Sequence, residues 1–251
     1  MFLNSLKKKN IIITGSNKGI GKAALEDFSK YCSKIFACVR KKDKSFLDLT
    51  KNLEKIHKVK IEIVELDLSK KKSIIKCINN ILKKEKNIDI LINNAGILFN
   101  SLFLMTSENK LNEIFQVNFL SQILFTQLIS RAMMKNNKGN IIFVASTSGI
   151  NGDEGRFAYS ATKSSIINSI KTLSKELSRY NIRVNAISPG LTNTDLMNNN
   201  TKKDIIENEI EKISLGRVAE PHEISSVLLF LASEKSSYIN GQNIIVDGGC
   251  K

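Results

Sequence analysis

Short apolar runs rich in β-branched residues alternate with longer, more polar segments along the whole chain. Seven of these runs predict strands, because each has strand length and strand composition. The predicted strands are Asn10–Thr14, Lys34–Val39, Ile61–Leu66, Ile88–Ile92, Asn140–Ala145, Ile182–Ile187 and Asn243–Asp247. The alternation predicts one α/β domain over residues 1–251, built on a doubly wound, parallel seven-stranded sheet with helices on both faces.

The segments between the strands predict helices and one mobile region. Helices are predicted at 43–58, about Lys70–Lys86, Asn109–Met134, Phe157–Leu177, and Glu223–Ala232 with Pro221 before it. Residues 192–214 are polar and rich in Asn and Lys, with four isoleucines at helical spacing. We expect this segment to form a mobile, partly helical flap.

The composition is that of an ordinary globular protein. The 251 residues are 42% hydrophobic and 25% charged, and no apolar run is long enough to span a membrane. We therefore expect no membrane partner and a cytoplasmic location, or an organellar one if a transit peptide was removed. The four cysteines lack C-x-x-C spacing and the two histidines are far apart, which argues against disulfides and against a metal site.

The charge balance is strongly basic, with a formal net charge of +14. Lysine supplies 32 of the 38 basic residues, and runs such as Lys7–Lys9, Lys70–Lys72 and Lys83–Lys84 are typical of solvated helix or loop faces. The alternative is attraction to an anionic partner, namely a phosphorylated cofactor, an acidic carrier protein or nucleic acid. No basic motif with interleaved aromatic residues favours nucleic acid, so we expect no such partner.

The residues best suited to catalysis follow the fifth predicted strand. Ser146 ends that strand, a glycine-rich loop comes next, and Tyr159 and Lys163 lie one turn apart on one helix face. A hydroxyl, a phenol and an ammonium group at a strand's carboxyl end suit proton transfer to or from a carbonyl oxygen. The ammonium group favours the phenolate and so moves the pKa of Tyr159 toward the working pH. Alone, the Tyr-x-x-x-Lys pair is more often a solvated helix face, and Ser146 a strand-end cap.

A glycine-rich turn, Gly15-Ser-Asn-Lys-Gly-Ile-Gly21, connects the first predicted strand to a helix. Strand, glycine turn and helix in this order are typical of dinucleotide sites, in which backbone amides at the helix N-terminus hold the pyrophosphate. The spacing is G-x-x-x-G-x-G, which differs from the common G-x-G-x-x-G pattern.

The end of the second predicted strand distinguishes between two dinucleotides. An acidic residue there binds the 2′-hydroxyl of the adenosine ribose, whereas a basic residue accommodates a 2′-phosphate. Val39 stands where an acid is expected, and Arg40 follows it. We favour a 2′-phosphate ligand over the alternative of a solvated lysine-rich turn, because the strand-end position is geometrically special.

Two further groups of polar residues are candidates for the same site. The fourth predicted strand runs into Asn93-Asn-Ala-Gly96, whose small residues allow close approach of a cofactor. Asn118 lies among apolar residues of a long helix. An amide in that position usually makes an interhelical hydrogen bond, but it could also position a water molecule.

Together these motifs resemble the short-chain dehydrogenases/reductases of the single-domain Rossmann type, and most closely their 3-oxoacyl-(acyl-carrier-protein) reductase branch. The matching residues are Thr14-Gly-x-x-x-Gly-Ile-Gly21, Asn93-Asn-Ala-Gly96, Asn118, Ser146, Tyr159-x-x-x-Lys163 and Pro189-Gly190. The branch adds Arg131-Ala-Met-Met-Lys135, Gly216-Arg217, Pro221-x-Glu-Ile224, Phe230-Leu231 and Val246-Asp-Gly-Gly249. The resemblance covers essentially the whole chain.

The resemblance implies a catalytic role for four residues and NADP(H) as the cofactor. Tyr159 is expected to protonate the developing alkoxide, and Ser146 to orient the carbonyl. Lys163 is expected to hold the nicotinamide ribose and to lower the pKa of Tyr159, and Asn118 to support a water in the proton relay. Cofactor contacts are expected at Gly15, Ser16, Asn17, Lys18, Gly19, Ile20, Gly21, Arg40, Asp67, Leu68, Asn94, Ala95, Gly96, Tyr159, Lys163, Pro189, Gly190, Thr192 and Thr194, with Asp67 and Leu68 beside the adenine.

The implied function is reduction of a 3-oxoacyl thioester on acyl carrier protein, in fatty-acid synthesis, by a homotetramer. Subunits are expected to pair through the helix that carries Ile166, Ile170, Leu173 and Leu177, and the alternative is that this helix face simply packs on the sheet. The alternatives are an oxidoreductase of a sugar, a polyol or another small carbonyl compound, and a non-catalytic NADP-binding protein.

One departure from the branch concerns the carrier protein. The branch often carries arginines where the paired helices meet the carrier, but Asn137 and Tyr180 stand at those positions here, with Lys138 and Arg179 beside them. We expect Lys135, Lys138 and Arg179 to lie near the mouth of the active site and to meet an acidic carrier.

Overall fold

Seven strands pair in parallel in one sheet, in the order β3-β2-β1-β4-β5-β6-β7. The computed structural model describes residues 2–201 and 203–250. The strands are β1 (Asn10–Thr14), β2 (Lys34–Val39), β3 (Lys60–Glu65), β4 (Ile90–Asn93), β5 (Gly139–Val144), β6 (Ile182–Pro189) and β7 (Asn243–Val246). The strand order reverses between β1 and β4, and ligands of such sheets bind at the carboxyl ends of the strands at that point. The predicted fold class is confirmed, and each predicted strand is within two residues of its observed bounds.

Helices cover both faces of the sheet. They are α1 (Gly19–Ser29), α2 (Lys44–His57), α3 (Lys71–Lys84), α4 (Glu108–Phe115), α5 (Ser121–Lys135), α6 (Ser148–Asn151), α7 (Phe157–Leu177), α8 (Asp195–Asn198), α9 (Lys203–Glu211) and α10 (Pro221–Ala232). Side chains alternate across β1, so that Ile11 and Ile13 join the core beneath α1, α2 and α10, whereas Ile12 joins the core beneath α3, α5 and α7. Within the described ranges, no helix has the combined length and apolarity needed to cross a membrane.

The long helix predicted at Asn109–Met134 is interrupted. A wide π-helical turn, Gln116–Leu120, separates α4 from α5 and contains the buried Asn118. The amide of Asn118 makes two hydrogen bonds to the backbone of Ile97, in the loop after β4. A partner 21 residues away in sequence holds this turn, so helical periodicity did not reveal it.

A four-residue helix, α6, lies in the loop that was predicted to be irregular. Gly149 of α6 packs directly on α7: a Cβ atom on this glycine would lie 2.7 Å from the backbone carbonyl carbon of Lys163. A larger side chain would push α6 away from α7, so the glycine fixes the loop against the helix.

Two residues of the predicted subunit-pairing face are buried within the chain. Ile166 and Ile170 of α7 are each 1% exposed and pack against the sheet, while Ile167, Leu173 and Leu177 are only partly buried. The expectation that Ile166 and Ile170 face a second subunit was wrong, because the sheet already covers them. The expected tetramer stays a prediction.

The segment expected to be a flap forms α8 and α9, with residue 202 outside the described part of the chain. Backbone hydrogen bonds fix both of its ends. Asn193 N–H donates to the carbonyl of Ala219 at one end, and Ser214 N–H donates to the carbonyl of Gly249 at the other. The mobility of the segment between these ends stays a prediction.

Candidate active site

A cleft of about 1620 Å³ runs along the carboxyl ends of the strands. Most of the predicted site residues line it: Gly15, Asn17, Lys18, Gly19, Ile20, Arg40, Asp67, Leu68, Asn94, Ala95, Gly96, Ser146, Tyr159, Lys163, Pro189, Gly190, Thr192 and Thr194. Ser16, Gly21 and Asn118 do not contribute to its lining. These three shape the walls of the cleft from behind.

The glycine turn after β1 is held tightly against β2 and α1. The N–H groups of Gly15 and Ser16 donate to the carbonyl of Cys38, and the buried Ser16 hydroxyl donates to Ile13 at 2.7 Å. A Cβ atom on Gly21 would lie 2.1 Å from the carbonyl oxygen of Gly15, so any side chain there would separate α1 from the turn. The first turn of α1 therefore stays at the cleft, where its amides suit a pyrophosphate.

Thr14 joins this turn to the end of β4. Its hydroxyl oxygen accepts from the N–H groups of Asn94 at 2.9 Å and Ala95 at 3.0 Å. The Asn94 side chain in turn donates to the carbonyls of Thr14 and Gly15. Asn94 thus braces the glycine turn, and Ala95 and Gly96 complete the adjoining wall. The sequence placed Thr14 in a motif but did not indicate this role, since its partners are about 80 residues away.

The adenosine end of the cleft carries exposed cations. Arg40 is exposed just beyond β2, and Lys18 in the glycine turn lies 3.5 Å from the carboxylate of Asp195 on α8. Asp67 accepts hydrogen bonds from the hydroxyl and N–H of Ser69, which hold the pKa of its carboxyl below the usual value. Lys41 also lines this end, and the sequence analysis did not name it as a site residue. The arrangement fits a dinucleotide that carries an extra phosphate on its ribose.

Ser146, Tyr159 and Lys163 meet in the middle of the cleft. The Ser146 hydroxyl lies close enough to the Tyr159 phenol to lower its pKa, and Lys163 Nζ lies 5.6 Å from the centroid of the tyrosine ring. The Lys163 ammonium group is buried and donates to the carbonyl of Val144 at 2.7 Å. The three residues that the sequence brought together are therefore adjacent in the fold.

The electrostatics of Tyr159 differ from the prediction. Burial raises the pKa of the Tyr159 phenol, and this effect outweighs the hydrogen bond to Ser146 and the positive charge of Arg156, which lower it. Burial also lowers the pKa of Lys163 to about 8. The expectation of a lowered phenol pKa was wrong for this structure, because desolvation of the buried phenol raises its pKa more than the neighbouring groups lower it.

The Asn118 side chain contacts the site through the backbone of Ile97. This side chain donates to and accepts from Ile97, each at 2.8 Å. A Cβ atom on Gly96 would lie 3.3 Å from the Asn118 oxygen and 3.9 Å from Lys163 Nζ, so these two side chains flank the same glycine. A role for Asn118 in a proton relay stays a prediction.

This site geometry has counterparts among known proteins. Residues 15–251 match the family described as enoyl-(acyl carrier protein) reductase. A 3-oxoacyl-[acyl-carrier-protein] reductase of Aquifex aeolicus is 36% identical over 244 residues, which cover 97% of this chain and 98% of the relative. The chain belongs to the short-chain dehydrogenase/reductase family. The resemblance inferred from the motifs is thus confirmed.

Other short-chain dehydrogenases/reductases of similar sequence or structure act on different compounds. A meso-2,3-butanediol dehydrogenase of Serratia marcescens is 32% identical, with coverage of 96% of this chain and 94% of the relative. A crystal structure from Beutenbergia cavernae, described as an NAD(P) dependent gluconate 5-dehydrogenase with bound NADP at low occupancy, matches with a TM-score of 0.91 and 25% identity over 98% of both chains. The family binds NAD(P), which confirms the class of cofactor and leaves the substrate open.

Four residues of this short-chain dehydrogenase/reductase that sequence reasoning did not name meet at the substrate end of the cleft. Asp153 accepts from the Ser148 hydroxyl and from Arg156, and Arg156 also donates to Thr201. Arg156 is a basic residue three positions before Tyr159, and the sequence analysis did not use this signal. Its partner Thr201 is 45 residues away and could not be identified from spacing.

The basic residues expected near the mouth lie at the other end of the molecule. Lys135 ends α5, Lys138 directly precedes β5, and Arg179 follows α7. Parallel strands all begin at the edge of the sheet opposite the active site, and the 21 residues of α7 span about 30 Å. The predicted position was therefore wrong: these side chains lie at the amino-terminal edge of the sheet.

Proposed function

We propose that the protein reduces a 3-oxoacyl thioester carried on acyl carrier protein to the 3-hydroxyacyl form, with NADPH as the reductant. The observation that carries this proposal is the convergence of Ser146, Tyr159 and Lys163 on the lining of one dinucleotide cleft, with Lys163 Nζ 5.6 Å from the centroid of the Tyr159 ring. A non-catalytic NADP-binding protein would not need these three groups to converge.

The chain's own residues suit each step of a carbonyl reduction. NADPH, when bound, supplies the hydride. The Ser146 hydroxyl orients the substrate carbonyl, and the Tyr159 phenol donates a proton to its oxygen as negative charge develops there. Lys163, one turn further along α7, holds the nicotinamide ribose and keeps a positive charge near the phenol. The proton that is transferred leaves the phenolic oxygen of Tyr159.

The lining of the substrate end supports an acyl substrate. Leu98, Leu102 and Leu196 line the cleft, and Met197 and Ile205 extend this apolar lining along the flap. An acyl chain would bury apolar surface against these side chains, whereas a sugar would leave its hydroxyls facing them. The second candidate is a small diol or sugar acid. Asn100, Asn199 and Asn200 also line the cleft and could bind hydroxyl groups, and two of the similar proteins are named for such compounds.

Carrier recognition and assembly are linked in this proposal. Lys138 and Arg179 lie too far from their own chain's Tyr159 to guide a carrier protein to it. They would serve a carrier at the active site of a second copy, as the proposed homotetramer would allow. Charge reversal of both residues should then lower activity on acyl-carrier-protein substrates and spare acetoacetyl-CoA.

The deciding experiment is a comparison of substrates. NADPH consumption is followed with acetoacetyl-CoA and with an acetoacetyl carrier protein, and NADPH formation from NADP⁺ is followed with meso-2,3-butanediol and with a panel of sugar acids. The proposal expects the thioesters to have the highest kcat/KM. A preference for the diol or a sugar acid would instead support the second candidate.

A further inference from the structure

Arg156 connects the catalytic loop to the flap. It lies three residues before Tyr159 and lines the cleft. Its side chain is 20% exposed. One guanidinium nitrogen lies 3.2 Å from the carboxylate of Asp153, and the other donates to the hydroxyl of Thr201 at 3.3 Å. Thr201 belongs to the flap and is 9% exposed. A single cation therefore bridges two segments that close the substrate end.

The surrounding backbone fixes where this bridge forms. Ser101 N–H donates to the carbonyl of Gly155 at 2.7 Å, and Arg156 begins α7 by accepting from Ser160 N–H at 2.8 Å. Asn100, next to Ser101, donates to the carbonyl of Asn200 on the flap. The flap thus meets two loops at adjacent points, through Asn100 and through Arg156, and the bond from Ser101 to Gly155 joins these loops.

The same bridge acts on Tyr159 through charge. The positive charge of Arg156 lowers the pKa of the phenol and the negative charge of Asp153 raises it. The other charged groups around this end are Lys163 on α7, Glu154 in the loop, and the paired Glu209 and Lys212 near the end of α9. Movement of the Arg156 guanidinium toward or away from Asp153 would alter the field at the phenol.

We propose that Arg156 is a positioning residue that couples closure of the flap to proton transfer by Tyr159. With the flap closed, Thr201 and Asp153 together hold the guanidinium at the start of α7. When the flap opens, Arg156 loses Thr201 and keeps Asp153 alone. The Tyr159 phenol therefore feels the charge of a correctly placed Arg156 only while the flap covers the substrate and excludes water. This inference rests on the proposed role of Tyr159 as the proton donor.

The pH profile of reduction separates this role from a merely structural one. Reduction needs a protonated phenol, so kcat falls as the pH rises through the pKa of Tyr159. Arg156→Gln should move this alkaline limb to higher pH and Asp153→Asn should move it to lower pH, each by roughly half a pH unit or more. Arg156→Lys keeps the charge and should move it little. Lys163 is unchanged in all variants and has a pKa of about 8, which lies below the raised pKa of Tyr159, so its titration precedes the limb that is compared.

Hydrogen exchange of the flap tests the latch without any turnover. Thr201→Val removes the hydroxyl that accepts from Arg156 and leaves the charge of Arg156 in place. This variant and Arg156→Gln should both speed amide exchange in the flap. Arg156→Lys should speed it less. Thr201→Val should also raise KM and move the alkaline limb slightly in the direction of Arg156→Gln.

The outcomes distinguish this inference from the proposed function. A wild-type protein that neither reduces the thioesters nor oxidises the diol or the sugar acids would overturn the proposed function and the coupling with it. An active wild type whose Arg156→Gln and Asp153→Asn limbs move together, or whose flap exchanges at the same rate in Thr201→Val, would overturn the coupling alone.

Discussion

The hydroxyl of Thr14 offers the sharpest test of how the cleft is built. Thr14→Val keeps the side-chain shape and removes the oxygen that accepts from Asn94 and Ala95. Thr14 is 1% exposed, so the two N–H groups lose a partner inside the protein. An unsatisfied buried donor costs about 1–3 kcal/mol. Since these amides border the cleft, where water reaches them in part, we expect a total loss of about 2–4 kcal/mol.

Thr14→Ser is the matched control. It keeps the oxygen and removes one buried methyl group, which should cost about 1 kcal/mol. Urea unfolding at one fixed protein concentration measures both variants, because oligomerisation would otherwise shift the midpoint. Thr14→Val should also weaken NADPH binding, whereas Thr14→Ser should not. If the valine variant is as stable as the serine variant, the hydroxyl does not brace the cleft and the reasoning is refuted.

Three further predictions concern the cofactor and the proton. Arg40→Ala should weaken NADPH binding by about 1.5–3 kcal/mol and leave NADH kinetics nearly unchanged, and equal losses with both cofactors would contradict a 2′-phosphate contact. Tyr159→Phe should stay folded and bind NADPH but lose nearly all turnover; retained turnover would exclude the phenol as the acid. Lys163 has a pKa of about 8 in the fold and 10.5 as its ordinary value, so the unfolded chain binds more protons between these pH values. Stability of the cofactor-free protein should therefore rise with pH across that window by at most about 3 kcal/mol, and this rise should be absent in Lys163→Met.

The fold was largely predictable because its signals are local. Each strand is a short β-branched run, and alternation with helices leaves few arrangements other than a parallel sheet. The wide turn at Gln116–Leu120 was missed because a bond from Asn118 to the distant Ile97 holds it. Helix α6 was missed because its stability comes from packing on α7.

The site was predictable to the extent that its residues lie at strand ends. Ser146 and the glycine turn follow their strands directly, and this placed them at one edge of the sheet. Pairs far apart in sequence, such as Arg156 with Thr201, were invisible to spacing. The position of Lys138 was a different kind of error. A residue that precedes a parallel strand belongs to the opposite edge, and this rule was available from the sequence.

Gly149 packs closely on α7, and this packing fixes one side of the substrate end, while the flap forms the opposite side. A loop with no space between itself and the backbone of Lys163 cannot shift unless the catalytic helix shifts too. The flap, in contrast, is anchored at its two ends by backbone hydrogen bonds. Between these ends it contacts the rest of the cleft through side chains such as Asp195 and Thr201. If the flap moves as predicted, it would accommodate substrates of different length, while the distance from Ser146 to the phenol would stay the same for each of them.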